Sequence, residues 1–247
     1  MTGGPGTAAK TVQILSTILS FAVREEVIES NPAFGIRKAP TRKLNRFLSK
    51  LEIDALREAL RDDEDRVSPN HGVAVIRLLL LTGCRKGEIE GLRWREVDLR
   101  GGYLRFEATK TGARAMPLSQ PAVDVLSALP RSRNEWVFPA SRGDGPFVGT
   151  KATWRRVAPA AGLSDVRLHD LRHTFASIGA AEGLSLPMIG ALLGHRQPST
   201  TARYAHLTDV PVRQAAALVA GRIETETQSA SEETLLGTPP KRCWSSG

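Results

Sequence analysis

The run His169-Asp170-Leu171-Arg172-His173 places two imidazoles and a guanidinium within five residues. The apolar positions Leu168, Leu171, Phe175 and Ile178 fall at helical spacing, so His169 and Arg172, three apart, share one helix face. That pairing suits a phosphate. A guanidinium is planar, permanently charged and matches two phosphate oxygens, and an imidazole that titrates near neutrality can move a proton beside it. The same residues also fit a solvated helix face with an incidental histidine, so the choice rests on the rest of the chain. His169 and His173 are spaced like a zinc pair, but no general-base glutamate stands between them, and arginines nearby repel a divalent cation.

The elements that must position this run can be read from periodicity and stop signals. After a Gly-rich start, residues 10–29 carry Val12, Leu15, Ile18, Leu19, Ala22 and Val23 on a helical period that stops at Asn31-Pro32. Residues 34–45, with Gly35, Pro40 and four basic side chains, read as a linker. Ser49 and Glu52 have the pattern of a capping box and start a helix through about Leu60, with polar loop over residues 62–70. A largely apolar helix over 72–82 ends at Gly83 and a short one follows over 86–92, which leaves Arg85 in the joint. Residues 103–107 and 114–118 alternate as strands do, and Lys110 lies near the tip of the hairpin between them. Further helices are expected at about 121–129, 151–161, 168–182, 186–193, 199–204 and 210–220. The fold class is therefore mainly α with a small antiparallel β-sheet or hairpin. Residues 222–247, rich in Thr, Ser, Glu and Pro, read as a disordered tail.

Composition narrows the partners. Lys plus Arg number 34 against 26 Asp plus Glu, and the whole net charge of +8 falls within residues 41–221. That region is the candidate surface for a polyanion. A hydrophobic content of 41% is enough for a proper core in 247 residues. Two cysteines, Cys84 and Cys243, are too few for a disulfide framework or a zinc cage, which points to a reducing compartment. No charged leader followed by an apolar stretch opens the sequence. The longest apolar run, Val73 to Leu81, is broken by Arg77 and too short to span a bilayer, so a cytoplasmic protein without a membrane partner is expected.

Five more stretches complete a pattern: Thr82-Gly83-Cys84-Arg85-Lys86-Gly87-Glu88-Ile89, the Lys110 hairpin, Leu193-Gly194-His195, Tyr204-Ala205-His206, and their order along the chain. With His169 and Arg172 they resemble the tyrosine recombinases, the phage-integrase family, over about Phe47 to Ala220. Each piece alone is weak; jointly they are specific. The resemblance implies the DNA breaking-rejoining catalytic-domain fold and strand exchange through a covalent 3′-phosphotyrosyl intermediate. It needs no metal, nucleotide or redox cofactor. The chemistry agrees: resealing a strand without an external energy source requires a side-chain oxygen that attacks phosphorus and later leaves, and a phenol with pKa about 10 does both. Of the two tyrosines, Tyr103 is explained by sheet packing, which leaves Tyr204.

Arg85 and Arg172 take, by the resemblance, the role of fixed cations on the nonbridging oxygens of the transition state. Arg85 also fits a residue that hydrogen-bonds the carbonyls of the preceding helix or pairs with Glu88. Lys110 matches the position of the general acid that protonates the leaving 5′ oxygen, with Lys86 as a nearby alternative. His169 matches the position for proton transfer and phosphate contact, and His195 the position that hydrogen-bonds the scissile phosphate. Either histidine could equally be a satisfied core residue. His173 and His206 read as structural, in helix packing and at the surface.

Family members clamp DNA between this domain and an N-terminal helical core-binding domain, of which the helix over 10–29 and its linker resemble the last part. The expected division is residues 1–40 as a remnant of that domain, 41–221 as the catalytic domain and 222–247 as tail. Loss of half the clamp removes phosphate contacts, so weak binding to a specific site is expected. The implied partners are double-stranded DNA, further copies in a homotetramer on two DNA sites, and accessory DNA-bending proteins. Two other readings stay open: a DNA-binding remnant or regulator of a mobile element without catalysis, and a type IB topoisomerase.

Overall fold

The computed structural model describes residues 5–37, 46–66, 70–107, 112–131, 134–208 and 211–223. The chain divides into two compact units, residues 1–45 and 46–247. In the first, helix α1 runs over Pro5–Arg24 and so ends before the expected stop at Asn31. Glu26 takes a positive φ of 56°, which breaks the helical path. Asn31 then reaches back to α1 and donates to Ser16 O at 2.9 Å and Ser20 Oγ at 2.8 Å. Over Gly6–Arg24, α1 is long and apolar enough to cross a bilayer by length and composition alone, a feature passed over when Val73–Leu81 is taken as the longest apolar run. Lys10 and Gln13 interrupt that stretch.

The second unit is built around α3, His71–Thr82, whose Val73, Val75, Ile76 and Leu78 are fully buried. A helix apolar on every side must be covered on every side. It is packed by α5 (Gln120–Ser127), α6 (Thr150–Ala160) and α7 (Leu168–Ala181). Asn70 caps its start, accepting from Val73 N, and Gly83 ends it at φ 63°. A side chain at Gly83 would be strained by that φ and would meet the Phe175 ring at 2.6 Å. The tight reversal therefore aims the next residues, Cys84 and Arg85, back toward α7.

Helix α2 occupies Lys50–Arg66, past the Leu60 end and into the stretch expected as loop. Its start follows the expected capping box: Ser49 N donates to Glu52 Oε2 at 2.8 Å and Glu52 N to Ser49 Oγ at 3.3 Å. Its extension is held by distant charges. Arg156 of α6 donates to both oxygens of the buried Asp63, at 3.0 and 2.9 Å, and Arg77 of α3 pairs with Glu64 at 2.7 Å. The three-stranded antiparallel sheet has the order β1 (Val97–Asp98), β2 (Tyr103–Phe106), β3 (Arg114–Pro117), with Leu104 opposite both Val97 and Met116. Leu104, Phe106 and Met116 turn into the core. Tyr103 stands on the other face, as expected from the alternation. The two-residue β1 is too short to show as a pattern. Lys110 lies outside the described residues.

Short helices complete the unit: α4 (Lys86–Glu90), α8 (Leu186–Leu193) and α9 (Pro198–Thr201). The helix expected over 199–204 tightens instead into a 3-10 turn, Ala202–Leu207. That turn buries Tyr204 in a small cluster with Ala176, Ala180, Ile189 and Leu193. A final helix, α10, spans residues 211–223 with exposed side chains along its length. The tail expected over 222–247 lies, from residue 224 on, outside the described residues.

Candidate active site

Helix α7 begins with a cap that orients everything after it. The fully buried Asp170 accepts from the backbone N of Arg167 at 2.8 Å and from its guanidinium at 3.1 and 2.7 Å. Burial raises the Asp170 carboxyl, but the hydrogen bonds and charge of Arg167 outweigh it and hold the group below its ordinary range. Thr174 adds a tie: its hydroxyl accepts from Leu48 N at 2.9 Å and donates to Asp170 O. With the first turn fixed, His169, Arg172 and His173 project from one side of the helix.

Arg172 is 4% exposed. Its Nη1 donates to Gly83 O at 2.8 Å and its Nη2 to Leu193 O at 2.7 Å, the carbonyl ends of α3 and α8. Helix C-termini carry partial negative charge, so these two ends compensate the buried cation. Burial and the nearby Arg85 push its guanidinium down to about 10, which leaves it charged at neutral pH. Two of its five N–H donors are engaged this way, and the fork is held rigid for the rest.

Arg85 is the N-cap of α4. Its backbone N donates to Glu88 Oε2 at 2.9 Å and its Nη1 to Oε1 at 2.8 Å, while Nη2 lies 3.4 Å from Gly194 O. The pairing with Glu88 is thus present, whereas the carbonyl it meets closes α8 rather than the preceding helix α3, and its guanidinium still lines the same cavity as Arg172. Glu88 also accepts from Arg114 Nη2 at 2.7 Å. Arg114, on β3, donates to Leu192 O at 2.9 Å and lies over the Phe106 ring at 5.1 Å. Burial raises the Glu88 carboxyl, and the hydrogen bonds of Arg85 and the charge of Arg114 reverse this to a net lowering. A single carboxylate thereby anchors two arginines.

His195 follows Gly194, which ends α8 in the left-handed conformation at φ 65°. Its Nδ1 lies 2.8 Å from Thr201 Oγ1, and burial with the charges of Arg172 and Arg85 pushes its imidazole down to about 4. His169 stands at the rim, its ring edge-on to His173 with centroids 4.9 Å apart. Desolvation and Arg172 lower its pKa as well. Neutral imidazoles among fixed cations can accept a proton or donate a hydrogen bond.

Tyr204 is 4% exposed, and burial raises its phenol while Arg203 and Arg172 pull it down. Its oxygen lies 2.6 Å from His173 Nδ1, and His173 Nε2 lies 3.3 Å from Arg203 Nη1. His173 is buried, as a packing residue should be, yet it meets the tyrosine oxygen directly. A cavity of about 680 Å³ is lined by Arg85, His169, Arg172, His195 and Tyr204, five of the six residues singled out from sequence, together with His173 and Arg203. The alternative Lys86 pairs with the buried Glu90 and faces an adjoining cavity that shares His169 and Arg172. His206 is exposed. His173, Arg203 and Arg114 were missed because their partners are far away in sequence; for Arg203, only its place beside Tyr204 was a signal. The ensemble is a buried phenol facing arginines and neutral imidazoles, which suits attack on a phosphodiester and stabilisation of the charge that develops on phosphorus.

The chain is similar to known DNA recombinases and integrases. The chain is 36% identical over 138 residues to the shufflon-specific DNA recombinase of Escherichia coli, a match that covers 54% of this chain and 34% of that protein. It is 28% identical over 228 residues to tyrosine recombinase XerD of Yersinia pestis, covering 84% and 73%. The chain therefore spans about a third of the length of the first relative and about three quarters of the second. The fold is that of the Tn1549 transposon integrase (residues 82–397) in complex with circular intermediate DNA, at a TM-score of 0.66 and 17% identity over 86% of this chain and 78% of that one. The sequence profile of the phage integrase family matches residues 46–210, about two thirds of the chain and the whole of the arginine, histidine and tyrosine cluster, and the protein belongs to that family.

Proposed function

We propose that this chain is a tyrosine-type site-specific DNA recombinase, or its catalytic part, that cleaves and rejoins strands through a covalent 3′-phosphotyrosyl intermediate. The observation that carries the reading is the Tyr204 hydroxyl in one cavity with Arg85, Arg172, His169 and His195. In the first step the Tyr204 oxygen bonds to phosphorus as the bond to the 5′ oxygen breaks. Arg85 and Arg172 stabilise the added negative charge on the nonbridging oxygens, and removal of one such preorganised donor costs about 100-fold to 1000-fold in rate. His169 and His195 hydrogen-bond the phosphate, and Lys110 protonates the leaving 5′ oxygen. The incoming 5′ hydroxyl reverses the step.

The division into a remnant helical segment (1–40), a catalytic domain (41–221) and a tail (222–247) belongs to the same proposal. Its partners are double-stranded DNA and further copies of the chain, in a tetramer across two duplexes, with DNA-bending accessory proteins. Two features support assembly between copies. Helix α10 exposes Val212, Leu218 and Val219, and an apolar groove of about 860 Å³ lined by Leu60, Leu80, Leu81, Val125, Phe175 and Ile178 offers a seat of matching chemistry for that helix from a second copy.

Nicked duplexes that lose a short fragment on cleavage trap the covalent step. The expected result is a detergent-resistant protein–DNA adduct with the wild type and none with Tyr204→Phe. DNA binding without adduct at high protein concentration would instead identify a binding module, and relaxation of plasmids irrespective of sequence would identify a topoisomerase.

A further inference from the structure

His173 touches the Tyr204 oxygen, and the direction of that hydrogen bond can be read from what holds the other side of the ring. Nε2 lies 3.3 Å from Arg203 Nη1. A guanidinium has five donors and no acceptor, so the nitrogen that faces it presents a lone pair. In a neutral imidazole the proton is then on Nδ1, which lies 2.6 Å from the phenolic oxygen. The ring is confined: it is 8% exposed, with His169 packed edge-on at 4.9 Å. Burial, His169 and Arg203 push His173 down to about 4, so it is neutral at working pH. A general base would turn its lone pair to the phenol; here the lone pair is turned away.

We propose that Arg203 is a positioning residue that fixes His173 in its Nδ1–H tautomer, and that His173 donates to the Tyr204 oxygen, stabilising the phenolate as nucleophile in cleavage and as leaving group in rejoining. This rests on the reading of Tyr204 as the nucleophile. The phenol first loses its proton to water. The phenolate oxygen then bonds to phosphorus as the bond to the 5′ oxygen breaks, and the departing oxygen takes up a proton. Among the described residues, the other charged or titratable groups on the same cavity are Arg85, Arg172, Arg196, His169 and His195, all cationic or neutral, and none is a carboxylate that would oppose the phenolate.

With two tyrosines in the chain, Tyr103→Phe leaves Tyr204 as the only phenol, and its ionisation can be followed by ultraviolet absorbance without DNA. In that background His173→Leu is expected to raise the Tyr204 midpoint by about one pH unit or more, and His173→Asn, whose amide keeps a donor near Nδ1, to restore most of it. Nitrogen NMR of the His173 ring is expected to show protonated Nδ1 in the wild type and emergence of protonated Nε2 in Arg203→Met. A midpoint unmoved or lowered in His173→Leu, or protonated Nε2 in the wild type, would overturn the proposal. If the leucine variant does not fold, the asparagine variant and the wild-type spectrum decide. On nicked DNA with sulfur in place of the bridging 5′ oxygen, which leaves without a proton, the roughly 10-fold to 100-fold loss from His173→Leu should persist. Rescue by sulfur would assign His173 to the leaving group instead. No adduct with the wild type would defeat the nucleophile reading itself, whereas the titration and the spectrum judge the hydrogen bond separately.

Discussion

Arg172 both ties the fold together and lines the candidate cavity. Its guanidinium closes the carbonyl ends of α3 and α8, and through them fixes Arg85 and His195, which flank those ends. The imidazoles beside it are held neutral, and that has a consequence for stability. The folded pKa of His173, about 4, lies below the ordinary 6.5, so between those values the unfolded chain binds a proton that the folded one does not. Stability is full above about pH 6.5 and is lost as the pH falls toward 4. His173 should account for about 1 to 2 kcal/mol between pH 7 and pH 5, roughly 2 to 6 °C in Tm, with His195 acting in the same sense. Thermal melts at the two pH values should show a smaller fall for His173→Asn than for wild type; equal falls would contradict the assignment. At this scale, His169, Arg172 and Tyr204 were legible as members of one cavity because residue type and spacing single them out. His173 was not. Its meaning depends on a phenol 31 residues away, and along its own helix it is indistinguishable from a packing residue.

The elements exist to bring chain reversals to the cavity. Gly83 and Gly194 end α3 and α8 in the left-handed conformation, and the residues that follow are Cys84-Arg85 and His195. Both glycines were legible as helix stops, since a non-glycine residue is disfavoured at such a φ. The crowding was not: a methyl at Gly83 would meet Phe175 at 2.6 Å and Leu193 at 2.9 Å. Gly83→Ala should therefore destabilise the protein by about 1 to 3 kcal/mol and lower adduct formation with it, because the shift displaces Arg85. Urea denaturation beside the adduct assay checks this; a variant as stable and as active as wild type would refute it. The extension of α2 past Leu60 was illegible for a similar reason. Residues 62–66 are polar and read as loop, and what keeps them helical is Arg156, 93 residues beyond Asp63. Strand β1 had no pattern to show in two residues.

At the scale of the molecule, the basic excess in residues 41–221 and the exposed apolar face of α10 are two separate devices. Under the proposed function, charge brings the chain to DNA through counterion release and the apolar helix joins copies once there. Leu218→Glu should leave single-site adduct formation within about 3-fold of wild type while abolishing higher-order complexes on two sites, read by native gel and by strand exchange. Unchanged assembly would remove α10 from the interface. Net charge and its location were legible from composition, and so was the helix. The groove that would receive it was not, because it is assembled from α2, α3, α5, α7 and α8. Covalent bonding of Tyr204 to a DNA 3′ phosphate is read by incubating the chain with a pool of nicked duplexes carrying randomised arms, recovering detergent-stable complexes and mapping the nucleotide by peptide mass spectrometry. A 3′-phosphonucleotide is expected on Tyr204, absent in Tyr204→Phe and reduced about 100-fold or more in Arg172→Ala. A nucleotide on Tyr103 or any other residue, a 5′ linkage, or an adduct undiminished in Tyr204→Phe would contradict it.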